Sequence, residues 1–207
     1  MNLNISEMPR MLFFDTETTG FNPGNICQLS YVIVDGEEVI PKNYYFKVDY
    51  VDPGAQRVHG LSVNKLIKLS GNREFVDFHN DLYDDFENAD LLIAHNFSFD
   101  IRFIRSEFMR CGINYIYNES LCTMKYFTNI CRIPSDRGYG YKWPKLEELV
   151  KYFRIKEKRI IKTTEELFDC KKIDYHDARF DTVATYLCFM EAMSQGLVKL
   201  DRAAGAK

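Results

Sequence analysis

Met11-Leu12-Phe13-Phe14-Asp15-Thr16-Glu17-Thr18-Thr19-Gly20 is the stretch around which the rest of the chain is organised. Four apolar residues in a row, two of them aromatic, predict a short strand buried on both faces. At its end stand Asp15 and Glu17, and a pleated strand turns residues two apart to one side. A buried carboxylate without a partner is strongly destabilising, so two on one face require one. A divalent metal ion is the simplest partner, because hard cations take oxygen ligands. The alternative is that the strand has already ended and both acids are solvated turn residues.

The 207 residues fit one domain with a sizeable core. With 46% hydrophobic and 28% charged residues, the composition is that of a globular protein and not of a disordered chain. No apolar run is long enough to span a bilayer, and the N-terminus lacks a basic-then-apolar leader. No membrane association and a cytoplasmic location are therefore expected. Cys27, Cys111, Cys122, Cys131, Cys170 and Cys188 contain no Cys-x-x-Cys pair, and read as reduced thiols, not a disulfide frame or zinc site. The net charge of −3 gives no global attraction to nucleic acid, yet a local basic patch can act while acids hold metal elsewhere.

After Gly20, Phe21-Asn22-Pro23-Gly24-Asn25 is turn chemistry. Ile26 to Val34 reads as a strand, and Asp35-Gly36 signals a hairpin into a third strand, Val39 to Val48. Residues 49–61 read as a loop, followed by helical periodicity over Ser62 to Leu69 and Glu74 to Phe86. Leu91 to Ala94 is a short buried strand, Phe97 to Cys111 a helix ended by Gly112, and Ile113 to Tyr117 a last strand. Residues 121–131 read as helical, Pro134 to Pro144 as a loop, Lys145 to Phe153 as a helix, and Ala178 to Gly196 as an amphipathic helix. Strands first, then alternation with helices, predict an α/β fold with a mixed sheet of about five strands covered by helices. No internal repeat or linker divides the chain, so 1–207 is expected to be one domain with its core at about 11–195.

Two further acids follow strands or open helices. Asp100 falls in the first turn of the helix after Ala94-His95-Asn96-Phe97, where the dipole alone accounts for an acid. Asp181 lies beside the apolar stripe of the last helix. His176, five residues earlier, would point about 140° away from Asp181 in an unbroken helix, so both can meet one site only if His176 lies in the loop before it.

Phe14 to Gly20 with Asp15 and Glu17, Ala94-His95-Asn96 leading to Asp100, and His176 before Asp181 resemble the three motifs of the DEDDh 3′-to-5′ exonuclease family. That family includes the proofreading subunit of bacterial DNA polymerase III, RNase T and the animal three-prime repair exonucleases. The resemblance spans about residues 11–195, and Val58-His59-Gly60-Leu61 is similar to a segment of the proofreading branch. The sister group carries a tyrosine four residues before its last acid; here that position is Asp177, and Tyr175 is six before. Two departures leave substrate and partner open: Cys122-Thr123-Met124 stands where proofreading relatives often have Asp-Thr-Leu, and the loop of Tyr139, Tyr141 and Trp143 is long.

The resemblance implies a ribonuclease H-like fold and two divalent ions, Mg²⁺ or Mn²⁺, held by Asp15, Glu17, Asp100 and Asp181. Two such ions suit phosphodiester cleavage, one at each end of an in-line displacement. His176 would be the general base, since imidazole exchanges protons near neutral pH. By the same likeness Thr18, Thr19, Gly20, Phe21, His59, Leu61, Asn96 and Phe97 would surround the terminal nucleotide. Single-stranded DNA is the expected substrate, with a polymerase or repair partner. The alternatives are an RNA 3′-end trimmer and a non-catalytic nucleic-acid or polymerase-binding module. The basic run Lys151 to Lys162 is either a phosphate track or a solvated face, and the loop aromatics either a stacking platform or a plug on the core.

Overall fold

The computed structural model describes residues 8–21, 24–171, 173 and 176–200. Asn22 and Pro23 of the expected turn, Tyr175, and the outer parts of both tails lie outside the described residues. In β1 (Met11–Thr18) the side chains of Met11, Leu12, Phe13 and Phe14 are all fully buried, as a strand covered on both faces requires. Met11 and Phe13 pack into one apolar cluster with α9 (Ala178–Ser194), whereas Leu12 and Phe14 join another with α4 (Phe97–Arg110). Each such side chain stabilises by about 1.5–3 kcal/mol on burial, which fixes the acid-bearing end of the strand in place.

The sheet runs β3-β2-β1-β4-β5, with β2 (Ile26–Asp35), β3 (Glu38–Tyr45), β4 (Leu91–Ala94) and β5 (Glu119–Cys122). β1 pairs antiparallel with β2 and parallel with β4, so the five-stranded sheet is mixed, as the sequence predicts. Asp35 pairs with Glu38, leaving Gly36 and Glu37 as the hairpin loop; Gly36 takes φ 59°, where glycine pays no side-chain penalty. A bulge between Glu17 and Thr18 ends the regular β1–β2 ladder where the site begins. α2 (Val63–Ser70), a 3₁₀ turn at Phe75–Asp77 and α3 (His79–Glu87) match the expected helical stretches.

Several expectations are corrected. The loop over 49–61 contains α1 (Pro53–His59): Asp52 accepts from the Gly54 amide at 2.7 Å, and Pro53 sits where no donor is needed. Turn chemistry and a helix cap look alike here, and no residue of α1 is buried to mark a periodicity. Ile113 to Tyr117 forms no strand. Tyr115 is instead a core plug whose hydroxyl donates to the Phe86 carbonyl at 3.0 Å. The edge strand is β5, masked in sequence by Glu119 and Ser120, so the helical reading of 121–131 shrinks to α5 (Thr123–Tyr126) and α6 (Thr128–Cys131). β3 ends at Tyr45, before the expected Val48, as Phe46 turns its amide to the Cys27 carbonyl and Lys47 to Arg73. The last helix is not amphipathic: the sheet covers one side, and α7 (Leu146–Tyr152) and α8 (Glu157–Phe168) pack on others. α8 itself was not anticipated within its basic surroundings. Nor do the loop aromatics plug the core, since Tyr139, Tyr141 and Trp143 are all exposed.

Candidate active site

Strand parity assembles the site. Asp15 and Glu17 share the β1 face of Met11 and Phe13, toward α9, and Asp181 in the first turn of α9 meets them there. One carboxylate oxygen from each of Asp15, Glu17 and Asp181 lies within 4.8 Å of the other two. Thr16 turns to the opposite face, where α4 lies. Its amide (3.2 Å) and hydroxyl (2.6 Å) both donate to Asp100 Oδ1. Asp100 therefore reaches the strand end from across the sheet and stands beside the three-oxygen group.

Crowding dominates the electrostatics. Burial first, then Asp100, Asp181 and Glu17, pushes the Asp15 carboxyl well above the usual range. Burial and then Asp181 and Asp100 raise Glu17 to about 9. Asp100 and Asp181 rise to about 7, again chiefly through burial, with the Thr16 hydrogen bonds partly offsetting the rise at Asp100. Among the described residues no Lys or Arg forms an ion pair with any of the four. An all-oxygen carboxyl set that no neighbouring cation compensates fits a hard divalent cation, which would displace the protons these groups hold.

His176 precedes the helix, exposed and at φ 62°, with Asp177 as the N-cap, so the loop placement required by the sequence is met. It lines a cavity of about 980 Å³ together with Asp15 and Asp181. Asp177 accepts from Gln28 Nε2 (2.9 Å) and from Arg179 Nε (2.9 Å) and Nη2 (2.6 Å), tying this turn to the sheet. Although burial works against it, those Arg179 and Gln28 bonds hold the Asp177 carboxyl below its usual value. Sequence reasoning missed Thr16, Gln28 and Arg179. The available signal was Gln28, an amide in an otherwise largely apolar strand.

A second cavity, of about 650 Å³, opens beside Glu17 and is lined by Thr18, Thr19, Gly20, Phe21 and His59. His59 Nδ1 faces the Leu61 amide at 3.0 Å and accepts from it, so Nε2 carries the proton and donates to the Thr18 carbonyl at 3.2 Å. Burial lowers the affinity of this ring for a second proton. A neutral imidazole engaged at both nitrogens offers a ligand only its face and edge. Leu61 is buried against Val48, Val51 and Leu66, and Phe97 against Phe14 and Tyr117. Asn96 is exposed at φ 68° and lines neither cavity. The expected nucleotide shell thus comes together at five residues, with Leu61 acting on His59 through its backbone.

His95 lines the larger cavity. Its Nδ1 lies 3.0 Å from the Thr123 hydroxyl, while Nε2 is buried without a hydrogen-bond partner among the described residues. The Pro144 carbonyl lies near the ring, outside bonding geometry, and burial prevails over it in lowering the pKa to about 4.

No described helix is long and apolar enough to cross a membrane. The chain is 32% identical over 123 residues to DNA polymerase III subunit epsilon of Haemophilus influenzae, covering 55% of this chain and 46% of that protein. It is 32% identical over 109 residues to the same subunit of Buchnera aphidicola subsp. Schizaphis graminum, covering 48% and 45%. It thus spans about half the length of the curated relatives it matches. In fold it is similar to E. coli exonuclease I solved with a dA16 oligonucleotide, with a TM-score of 0.66 and 20% identity over 90% of this chain and 41% of that one. The exonuclease family profile, RNase_T, matches residues 12–189. With that match over most of its length, the chain belongs to the DEDDh-type 3′-to-5′ exonuclease family of nuclease hydrolases.

Proposed function

We propose that this chain is a single exonuclease domain that hydrolyses phosphodiester bonds from the 3′ end of single-stranded DNA. The observation that carries the reading is the carboxylate group of Asp15, Glu17 and Asp181, flanked by Asp100, with His176 on the same cavity as Asp15 and Asp181. Two divalent ions, Mg²⁺ or Mn²⁺, held by these four acids would activate a water and neutralise charge on the phosphate and the departing oxygen. His176 accepts the water's proton as its oxygen bonds to phosphorus and the bond to the 3′ oxygen breaks. Thr18, Thr19, Gly20, Phe21 and the His59 ring enclose the terminal nucleotide, stacking on its base without reading sequence. Thr16 steadies Asp100, and the Gln28–Asp177–Arg179 bonds steady the His176 turn.

The likeness to polymerase III epsilon subunits favours DNA over RNA and a polymerase or repair partner. Six free cysteines accord with a reducing, intracellular compartment. A non-catalytic binding module is disfavoured, because it would keep a set of mutually repelling acids to no purpose. Digestion of 5′-labelled single-stranded DNA and RNA side by side, in Mg²⁺ and in chelator, tests the reading. Stepwise shortening from the 3′ end should appear in Mg²⁺, faster on DNA, and vanish on chelation. Binding without shortening supports the module, faster RNA shortening moves the substrate, and shortening that survives thorough chelation removes the metal mechanism.

A further inference from the structure

The stretch Pro134 to Pro144 is a built hairpin. Pro134 bridges Tyr141, the Lys142 amide donates to the Ile133 carbonyl at 2.9 Å, and the Ser135 amide to Gly140 at 3.1 Å. Gly138 and Gly140, at φ 78° and 69°, allow the tight reversal. On this fixed frame Tyr139 is 77% exposed, Tyr141 46% and Trp143 58%. Three exposed aromatics within five residues of one hairpin mark an interaction surface more often than single exposed residues do.

The hairpin stands at the mouth of the larger cavity. Trp143 precedes Lys145, a cavity-lining residue, by two positions, at most about 7 Å along the chain. Pro144 sits against His95, which lines the cavity with Asp15 and Asp181. The segment that carries the hairpin and the start of the cavity wall is basic in sequence. From Lys125 to Lys162 there are eleven Lys and Arg against four Asp and Glu, a net +7 in a chain of net −3. Lys145, Lys151 and Arg154 line the cavity together with Glu147 and Glu157; Lys145 pairs with Glu147 at 3.5 Å, whereas among the described residues Lys151 and Arg154 form no ion pair with a carboxylate. The Lys125 ammonium lies 5.8 Å from the Trp143 ring centroid, a cation–π contact at the edge of the patch.

We propose that the 133–143 hairpin is a stacking platform for the single strand leading into the active site, with Lys145, Lys151 and Arg154 as its phosphate track. The ligand class follows from the surface: a polyanion whose flat bases are free to stack, which a duplex withholds. The proposal rests on the exonuclease reading above and extends it to nucleotides upstream of the scissile bond.

Trp143 is the only tryptophan in the chain, so its fluorescence reports occupancy directly. In chelator, where hydrolysis is blocked, oligothymidylates of about two to about twelve nucleotides would be titrated by fluorescence and by anisotropy. Long oligomers should quench Trp143 and dinucleotides should not. Trp143→Ala should weaken binding of the long oligomer about tenfold, Trp143→Phe should recover most of that loss, and affinity should fall steeply with salt. Anisotropy showing tight binding with Trp143 fluorescence unchanged, and equal affinity in Trp143→Ala, would overturn the platform while leaving the exonuclease reading intact. Absence of binding, together with absence of Mg²⁺-dependent shortening of labelled DNA, would instead remove the exonuclease reading and the platform with it.

Discussion

The two cavities that meet at the β1 acids are walled by different interactions. On the Glu17 side, the backbone around Thr18–Gly20 is held from within: Thr18 Oγ1 donates to the Gly20 carbonyl (3.0 Å), the Asp52 amide to Thr19 (2.9 Å), and His59 is engaged at both nitrogens. On the Asp15 side α7, α8 and α9 supply the wall, with apolar Leu146, Val150 and Ile160 beside charged Lys145, Glu147, Lys151, Arg154 and Glu157. We propose that the two sides have different tasks. Under the proposed function the smaller cavity, bounded by hydrogen-bonded backbone, holds one terminal nucleotide, and the larger one, with Lys145, Lys151 and Arg154 in its lining, receives the strand whatever its sequence.

The acids join the two sides, and breaking them should have the largest effect. Asp15→Asn should lower cleavage by several orders of magnitude, measured as single-turnover release from labelled DNA. It should also raise the melting temperature of the metal-free protein, because it relieves repulsion among buried carboxyls. The pH dependence has a definite sign. Glu17 at about 9 and Asp100 and Asp181 at about 7 hold protons more tightly when folded, so their contribution is complete below the unfolded value near 4 and is lost as pH rises. Metal-free melting temperature should fall between about pH 5 and 9, and saturating Mg²⁺ should flatten the fall.

On the wide side, His176→Ala should lower the rate about 10²- to 10⁴-fold with Mn²⁺ affinity unchanged. A lowered melting temperature with an unchanged rate per folded molecule would make His176 a structural residue of the turn. On the narrow side the effect should be smaller and of another kind. His59→Ala should raise KM for DNA about tenfold while kcat stays within a few-fold, since its ring face binds ground and transition states alike. Equal losses in kcat and kcat/KM would move His59 into the chemistry and erase the division between the cavities.

This division was only partly legible in sequence. The apolar run Met11–Phe14 and its pleat parity put Asp15 and Glu17 on one face, and helix geometry made a loop position the condition for His176 to share a site with Asp181; both depend on local periodicity alone. Thr16 sits between the two acids yet serves Asp100 on the far face, a role that only the long-range packing of α4 creates. α8 buries just Ile160 and Thr164 beneath an exterior of mixed charge, so its pattern reads as a solvated face. The Tyr139, Tyr141 and Trp143 series was ambiguous because alternation has the same spacing whether the residues face core or water.

We propose that Asp15, Glu17, Asp100 and Asp181 together form a cation site that holds protons until the metal enters. Calorimetric titration of the metal-free protein with Mn²⁺ near pH 7, repeated in buffers of different ionisation enthalpy, tests it most directly. Carboxyls raised to about 7 and 9 must release protons when the cation enters. Saturable binding with net proton release, strongly weakened in Asp15→Asn, is the predicted result. Binding without proton release that is indifferent to Asp15→Asn, or no binding at all, would contradict the account.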